Sequence, residues 1–78
     1  MRKREMKLVV TFRTTADAMG MEKLCRDQGL PGRLIPVPRS ISAGCGLSWC
    51  AETGDEPVLK QAMEERRLEP EGIFRVLI

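Results

Sequence analysis

Residues 42–50, SAGCGLSWC, hold two of the chain's three cysteines and its single tryptophan. With no histidine in the 78 residues, a serine nucleophile would lack its usual base. Nucleophilic or redox chemistry therefore falls to the thiols. Cys45 stands between Gly44 and Gly46, where little side-chain cover surrounds it. That spacing predicts an exposed loop thiol, which another molecule's backbone or cofactor can approach closely. The reactive form of a cysteine is the thiolate, favoured beside positive charge or a helix N-terminus. Arg39, Arg13 and a helix start at Thr14 are the groups placed to supply that environment. The plainer alternative is a tight turn whose cysteine has no chemical importance.

The other two thiols carry weaker cases. Cys50 falls within a predicted strand, where a free cysteine packs as a small apolar residue; it is a secondary thiol candidate. If the chain between Cys45 and Cys50 were fully extended, the two would stand about 16 Å apart. A disulfide needs Cα atoms within about 7 Å, so the loop would have to fold back. Cys25 recurs with an apolar helical stripe and reads as core. Without histidine or a C-x-x-C pair, three cysteines cannot complete a four-ligand structural zinc site unless a carboxylate or a second chain helps. No metal and no cofactor is expected.

These residues must be positioned by elements that the hydrophobic period marks out. Residues 6–13 (MKLVVTFR) read as a buried strand. Thr14 or Thr15 then caps a helix with Asp17 in its first turn. Ala18, Met21, Leu24 and Cys25 form its stripe, and Gly29 ends it with Pro31 beyond. Gly20 weakens this helix by about 1 kcal/mol relative to alanine. Residues 33–40 read as an edge strand, because Pro36 and Pro38 lack ladder donors on the same side. A third strand covers residues 47–51, with Leu47, Trp49 and Ala51 on one face and Ser48 and Cys50 on the other. After a turn at residues 53–55, Asp55 caps a second helix with Pro57 in its first turn. Its stripe is Leu59, Ala62 and Met63, with Arg66 and Arg67 at its C-terminal end. Residues 69–72 break the chain before a last strand at residues 73–78.

This order predicts an α+β fold, a ferredoxin-like βαββαβ sandwich with two helices on one face of a four-stranded antiparallel sheet. The first and third strands would be central. The loop at residues 41–46 would then lie beside the start of the first helix, close to Arg13 and Thr14. A chain of this length forms one domain over residues 1–78 with a small core, and residues 1–5 read as a solvated basic tail. The other sheet face would be open and suited to pairing in a homodimer, although Trp49 fits core packing better.

Composition removes several function classes. A net charge of +2 is too small to argue for nucleic acid, and Phe12, Trp49 and Phe74 are too few for a base-stacking face. No glycine run has phosphate-loop spacing. The apolar run Leu8-Val9-Val10 stops far short of a signal peptide or membrane span. An odd number of cysteines fits a reducing, cytoplasmic location better than a disulfide-stapled secreted fold.

At residues 33–49, RLIPVPRSISAGCGLSW, the sequence resembles a small bacterial family of selenium/sulfur carrier-like proteins. The likeness extends to the opening strand that ends in FRTT and to the EKL-containing helix that ends near Gly29. Its most specific part is Pro-Val-Pro-Arg, then Ile-Ser, then Cys-Gly. The resemblance implies that Cys45, followed by Gly46 and preceded by Arg39, is the carrier cysteine. It would accept sulfur or selenium from a donor persulfide, such as that of a cysteine desulfurase, and pass it to an acceptor. Such a protein is a carrier and need not be an enzyme. Two other classes stay open: a small dimeric ligand-binding or regulatory module, and a thiol redox partner using Cys45 and Cys50.

Overall fold

A computed structural model describes residues 4–78. The strands are β1 (Met6–Thr11), β2 (Arg33–Pro36), β3 (Leu47–Glu52) and β4 (Gly72–Leu77); the helices are α1 (Thr15–Gln28) and α2 (Glu56–Glu65), preceded by a 3-10 turn at Thr53–Asp55. The sheet runs β2-β3-β1-β4, and every neighbouring pair is antiparallel. This is the expected ferredoxin-like arrangement, with β1 and β3 central.

Side-chain alternation divides the sheet into two faces. Leu8 and Val10 of β1, Trp49 and Ala51 of β3, and Leu34 and Ile73 on the edges join the core formed with the helices. Helix α1 contributes Ala18, Met21, Leu24 and Cys25, and α2 contributes Leu59, Ala62 and Met63, the two stripes expected from the 3.6-residue period. Each large apolar side chain buried this way is worth about 1.5–3 kcal/mol. The opposite face carries Val9, Thr11, Ser48 and Cys50, all buried although no helix covers them. Val9 lies between its cross-strand partners Cys50 and Phe74.

The ends of α1 follow the expected chemistry. The Thr14 hydroxyl accepts from the Asp17 N–H at 3.1 Å, and Gly29 adopts φ 65° at the C-cap, a left-handed conformation that glycine enters without a Cβ clash. Asp55 stands at the N-cap of α2 as expected, but its side chain is used elsewhere. The Asp55 carboxylate accepts from the Glu52 N–H at 3.1 Å, so it closes the 3-10 turn and makes no side-chain cap to α2. Past the last turn of α2, Arg67 takes φ 55°, while the Leu68 N–H donates to Met63 O at 2.8 Å.

Several boundaries also moved, β1 ending at Thr11 rather than at Arg13. Strand β2 stops at Pro36 instead of reaching residue 40. The Val37 N–H still reaches Gly46 O at 3.0 Å, but Pro38 has no N–H to continue the ladder, and Ile41 N–H turns back to Pro38 O at 3.0 Å. At the other margin, Glu5 exchanges two 3.0 Å backbone bonds with Ile78, so it is paired rather than part of a solvated tail. Residues 1–3 lie outside the described residues.

Gly32 seats the core tryptophan. Its φ is 116°, and an added Cβ would stand 2.2 Å from Trp49 Nε1 and 2.7 Å from Cys50 O. The indole N–H passes over it to donate to Pro31 O at 3.1 Å. Gly20 is different, because its Cβ would meet only Leu68 Cδ1, at 3.9 Å. Gly20→Ala should therefore raise stability by about 1 kcal/mol through helix propensity. Gly32→Ala should lower it by about 2 kcal/mol or more through backbone strain and the clash. Urea midpoints of the two variants, with unchanged slope, check both.

Candidate functional site

The connection from β2 to β3 is shaped by what it cannot pair. With the ladder ended by proline, residues 38–41 turn, carrying Arg39 outward, and residues 42–46 cross to the far end of β1. There the Cys45 N–H donates to Phe12 O at 3.1 Å. Gly44 packs against the backbone just beyond, so that a Cβ at Gly44 would lie 3.0 Å from Arg13 O and 3.5 Å from Arg13 Cα. The Gly44 N–H donates to Glu71 Oε1 at 2.9 Å.

This stitching turns Cys45 inward. Its residue is 5% exposed and belongs to the core beneath the helices, which overturns the expected exposed loop thiol. Between Cys25 and Ser48 no other residue is buried, and Gly44 and Gly46 on either side are exposed. The backbone is thus at the surface while the sulfur is under it. The glycines also divide their roles. The space at Gly44 is filled by the chain's own Arg13 backbone, whereas a Cβ at Gly46 would meet nothing within 4 Å.

Two polar groups face the sulfur. The Leu47 N–H donates to Cys45 Sγ at 3.3 Å. The Thr15 hydroxyl lies 3.7 Å from Sγ, and Thr15 is the first residue of α1. Both groups can serve a sulfur that carries negative charge, as can the positive end of the helix. The helix start is therefore beside the thiol, as the topology implied. The contact runs through Thr15, because the Thr14 hydroxyl is committed to capping. Arg13 and Arg39 are exposed, and among the described residues neither forms an ion pair or a hydrogen bond to the sulfur. From the sequence Thr15 was an alternative N-cap and Leu47 a strand residue, and neither they nor Glu71 were expected at the thiol.

The remaining thiols are separated from this place. All three cysteines are free. Cys50 lies on the sheet face away from the helices and lines a shallow cleft with Lys7, Gly32, Arg33 and Asp55. A Cys45–Cys50 bridge would have to pass through the sheet. Cys25 sits in the core at 1% exposure, and burial pushes its thiol up from 9.0 to about 11. Among the described residues no group of three or more His, Cys, Asp or Glu is arranged to hold a metal ion, and no helix is long and apolar enough to cross a membrane.

The raised Cys25 thiol links stability to alkaline pH. Between 9.0 and about 11 the folded chain keeps a proton that the unfolded chain releases, so its contribution is complete below pH 9 and is lost as pH rises towards 11. Urea midpoints should fall across that window. The fall should be shallower in Cys25→Ala, whose midpoint starts lower because the core has lost a sulfur.

The comparisons with known proteins bear on this site. A family model described as "Putative Se/S carrier protein-like" matches residues 7–75. No curated protein and no solved structure matches the chain.

Proposed function

The chain belongs to the Se/S carrier protein-like family, and on that premise we propose that it carries sulfur or selenium covalently on Cys45. The observation that supports this assignment is the pair of polar contacts at Cys45 Sγ, the Leu47 N–H donating at 3.3 Å and the Thr15 hydroxyl 3.7 Å away, which donates once the sulfur is a thiolate. Neither Cys25 nor Cys50 has a recorded hydrogen bond to its sulfur among the described residues.

The transfer is a thiol–persulfide exchange. The Cys45 thiolate attacks the outer sulfur of a donor persulfide, R–S–S–H. A new S–S bond forms at Cys45 as the donor's S–S bond breaks, and the donor cysteine leaves as a thiolate with no net oxidation. Delivery is the same reaction run outward: an acceptor thiolate attacks the terminal atom and Cys45 leaves as the thiolate. Selenium follows the same path with a terminal selenium atom. The Leu47 amide and Thr15 hydroxyl hold the negative charge that collects on Cys45 before loading and after delivery. The chemistry needs a persulfide donor, such as a cysteine desulfurase. A redox partnership of Cys45 with Cys50 has less support, because the sheet lies between them.

Intact mass spectrometry tests the reading directly. Incubation with cysteine and a desulfurase should add about 32 Da, and a selenium donor about 79 Da, in a form that reductant removes. The adduct should survive Cys50→Ala and Cys25→Ala and vanish in Cys45→Ala. Thr15→Val should load about threefold more slowly, from loss of one weak hydrogen bond. An adduct indifferent to Cys45→Ala would reject the assignment.

A further inference from the structure

A carrier thiol must meet another sulfur at bonding distance, yet Cys45 is buried. Its backbone runs at the surface between the exposed Gly44 and Gly46, and besides the Thr15 contact to the sulfur itself three hydrogen bonds hold that loop in place. Cys45 N–H donates to Phe12 O at 3.1 Å and Val37 N–H donates to Gly46 O at 3.0 Å. The third runs from Gly44 N–H to Glu71 Oε1 at 2.9 Å. The first two join backbone to backbone. The third alone draws on a side chain.

Glu71 is well placed to act as that holding point. It stands just before β4, and its own N–H donates to Thr11 O at 2.7 Å, which fastens it to the end of the central strand. From there its carboxylate spans to the loop, with Oε2 3.4 Å from where a Gly44 Cβ would lie. A group fixed to the sheet thus grips the residue that precedes the thiol. Glu71 and Gly44 are both exposed, so water can take over each group when they part. Opening then displaces a short surface segment and leaves the helices and sheet intact, a local event of low cost compared with unfolding.

We propose that Glu71 is the latch that keeps the Cys45 thiol inward, and that release of the Gly44 amide from its carboxylate is the opening step that makes this sulfur reachable. The use of such a latch rests on Cys45 being the transfer site. Its physical action does not, and can be measured without any donor.

The measurement is the rate of iodoacetamide labelling at each cysteine of the full chain at neutral pH, resolved by peptide mass mapping. Glu71→Ala should speed labelling of Cys45 by roughly three- to tenfold, the effect of losing one charge-assisted bond at a solvated position. Cys25, held in the core, should keep its rate and so report that global stability is not the cause. Glu71→Gln, whose amide oxygen can still accept from the Gly44 N–H, should label near the wild-type rate. Unchanged Cys45 labelling in Glu71→Ala would overturn the latch. So would acceleration of Cys25 in parallel, which means general loosening. Equal rates in Glu71→Gln and Glu71→Ala would also overturn it, since loss of charge near the sulfur would then suffice. If the latch behaves as expected while no persulfide forms on Cys45, the carrier reading fails and the latch stands.

Discussion

One backbone hydrogen bond, from the Cys45 N–H to Phe12 O at 3.1 Å, decides what kind of thiol this protein has. Phe12 is fully buried where the central strand ends, so its carbonyl needs a partner that solvent cannot provide. The β2–β3 loop supplies one. In doing so it brings Cys45 over the opening turn of α1 and points the sulfur toward Thr15. The close approach of Gly44 to the Arg13 backbone, and the reach of Glu71 to the Gly44 amide, both depend on the loop being held at that spot.

The consequence is a compromise between holding and reaching. Burial screens a sulfur from oxidants and from unintended thiols, and the amide and hydroxyl beside it suit an anion. A fully exposed loop would give faster exchange and less protection. Here the thiol is carried by a short surface segment flanked by exposed glycines, so shielding and release are separated by a small movement of that segment. Cys25, on the buried stripe of α1, is a thiol whose burial drives it toward the protonated form.

Much of the architecture was legible because it follows from period and punctuation. The helical stripes, the Thr14 cap, the left-handed Gly29 and the central placement of β1 and β3 all arise from local pattern. Proline placed β2 at an edge for a physical reason that survives folding. The site was less legible. Gly-Cys-Gly reads as open backbone, and nothing local says that the backbone's exposed side is opposite the sulfur. That orientation comes from Phe12, more than thirty residues away along the chain, and from Glu71, nearer the other end. The use of the Asp55 side chain was hidden for a related reason. An acidic residue before a helix can cap it or close the turn behind it, and only the path of Glu52 decides which.

The seating of Trp49 has an optical meaning. It is the chain's single tryptophan, 4% exposed and tied to Pro31 O across Gly32. It shares a face of β3 with Leu47, whose N–H meets the Cys45 sulfur. Emission from this protein therefore comes from one indole in one environment, two residues along the strand from the thiol's own contact. The fluorescence is a local spectrum of the core beside the loop, undiluted by signals from elsewhere in the chain.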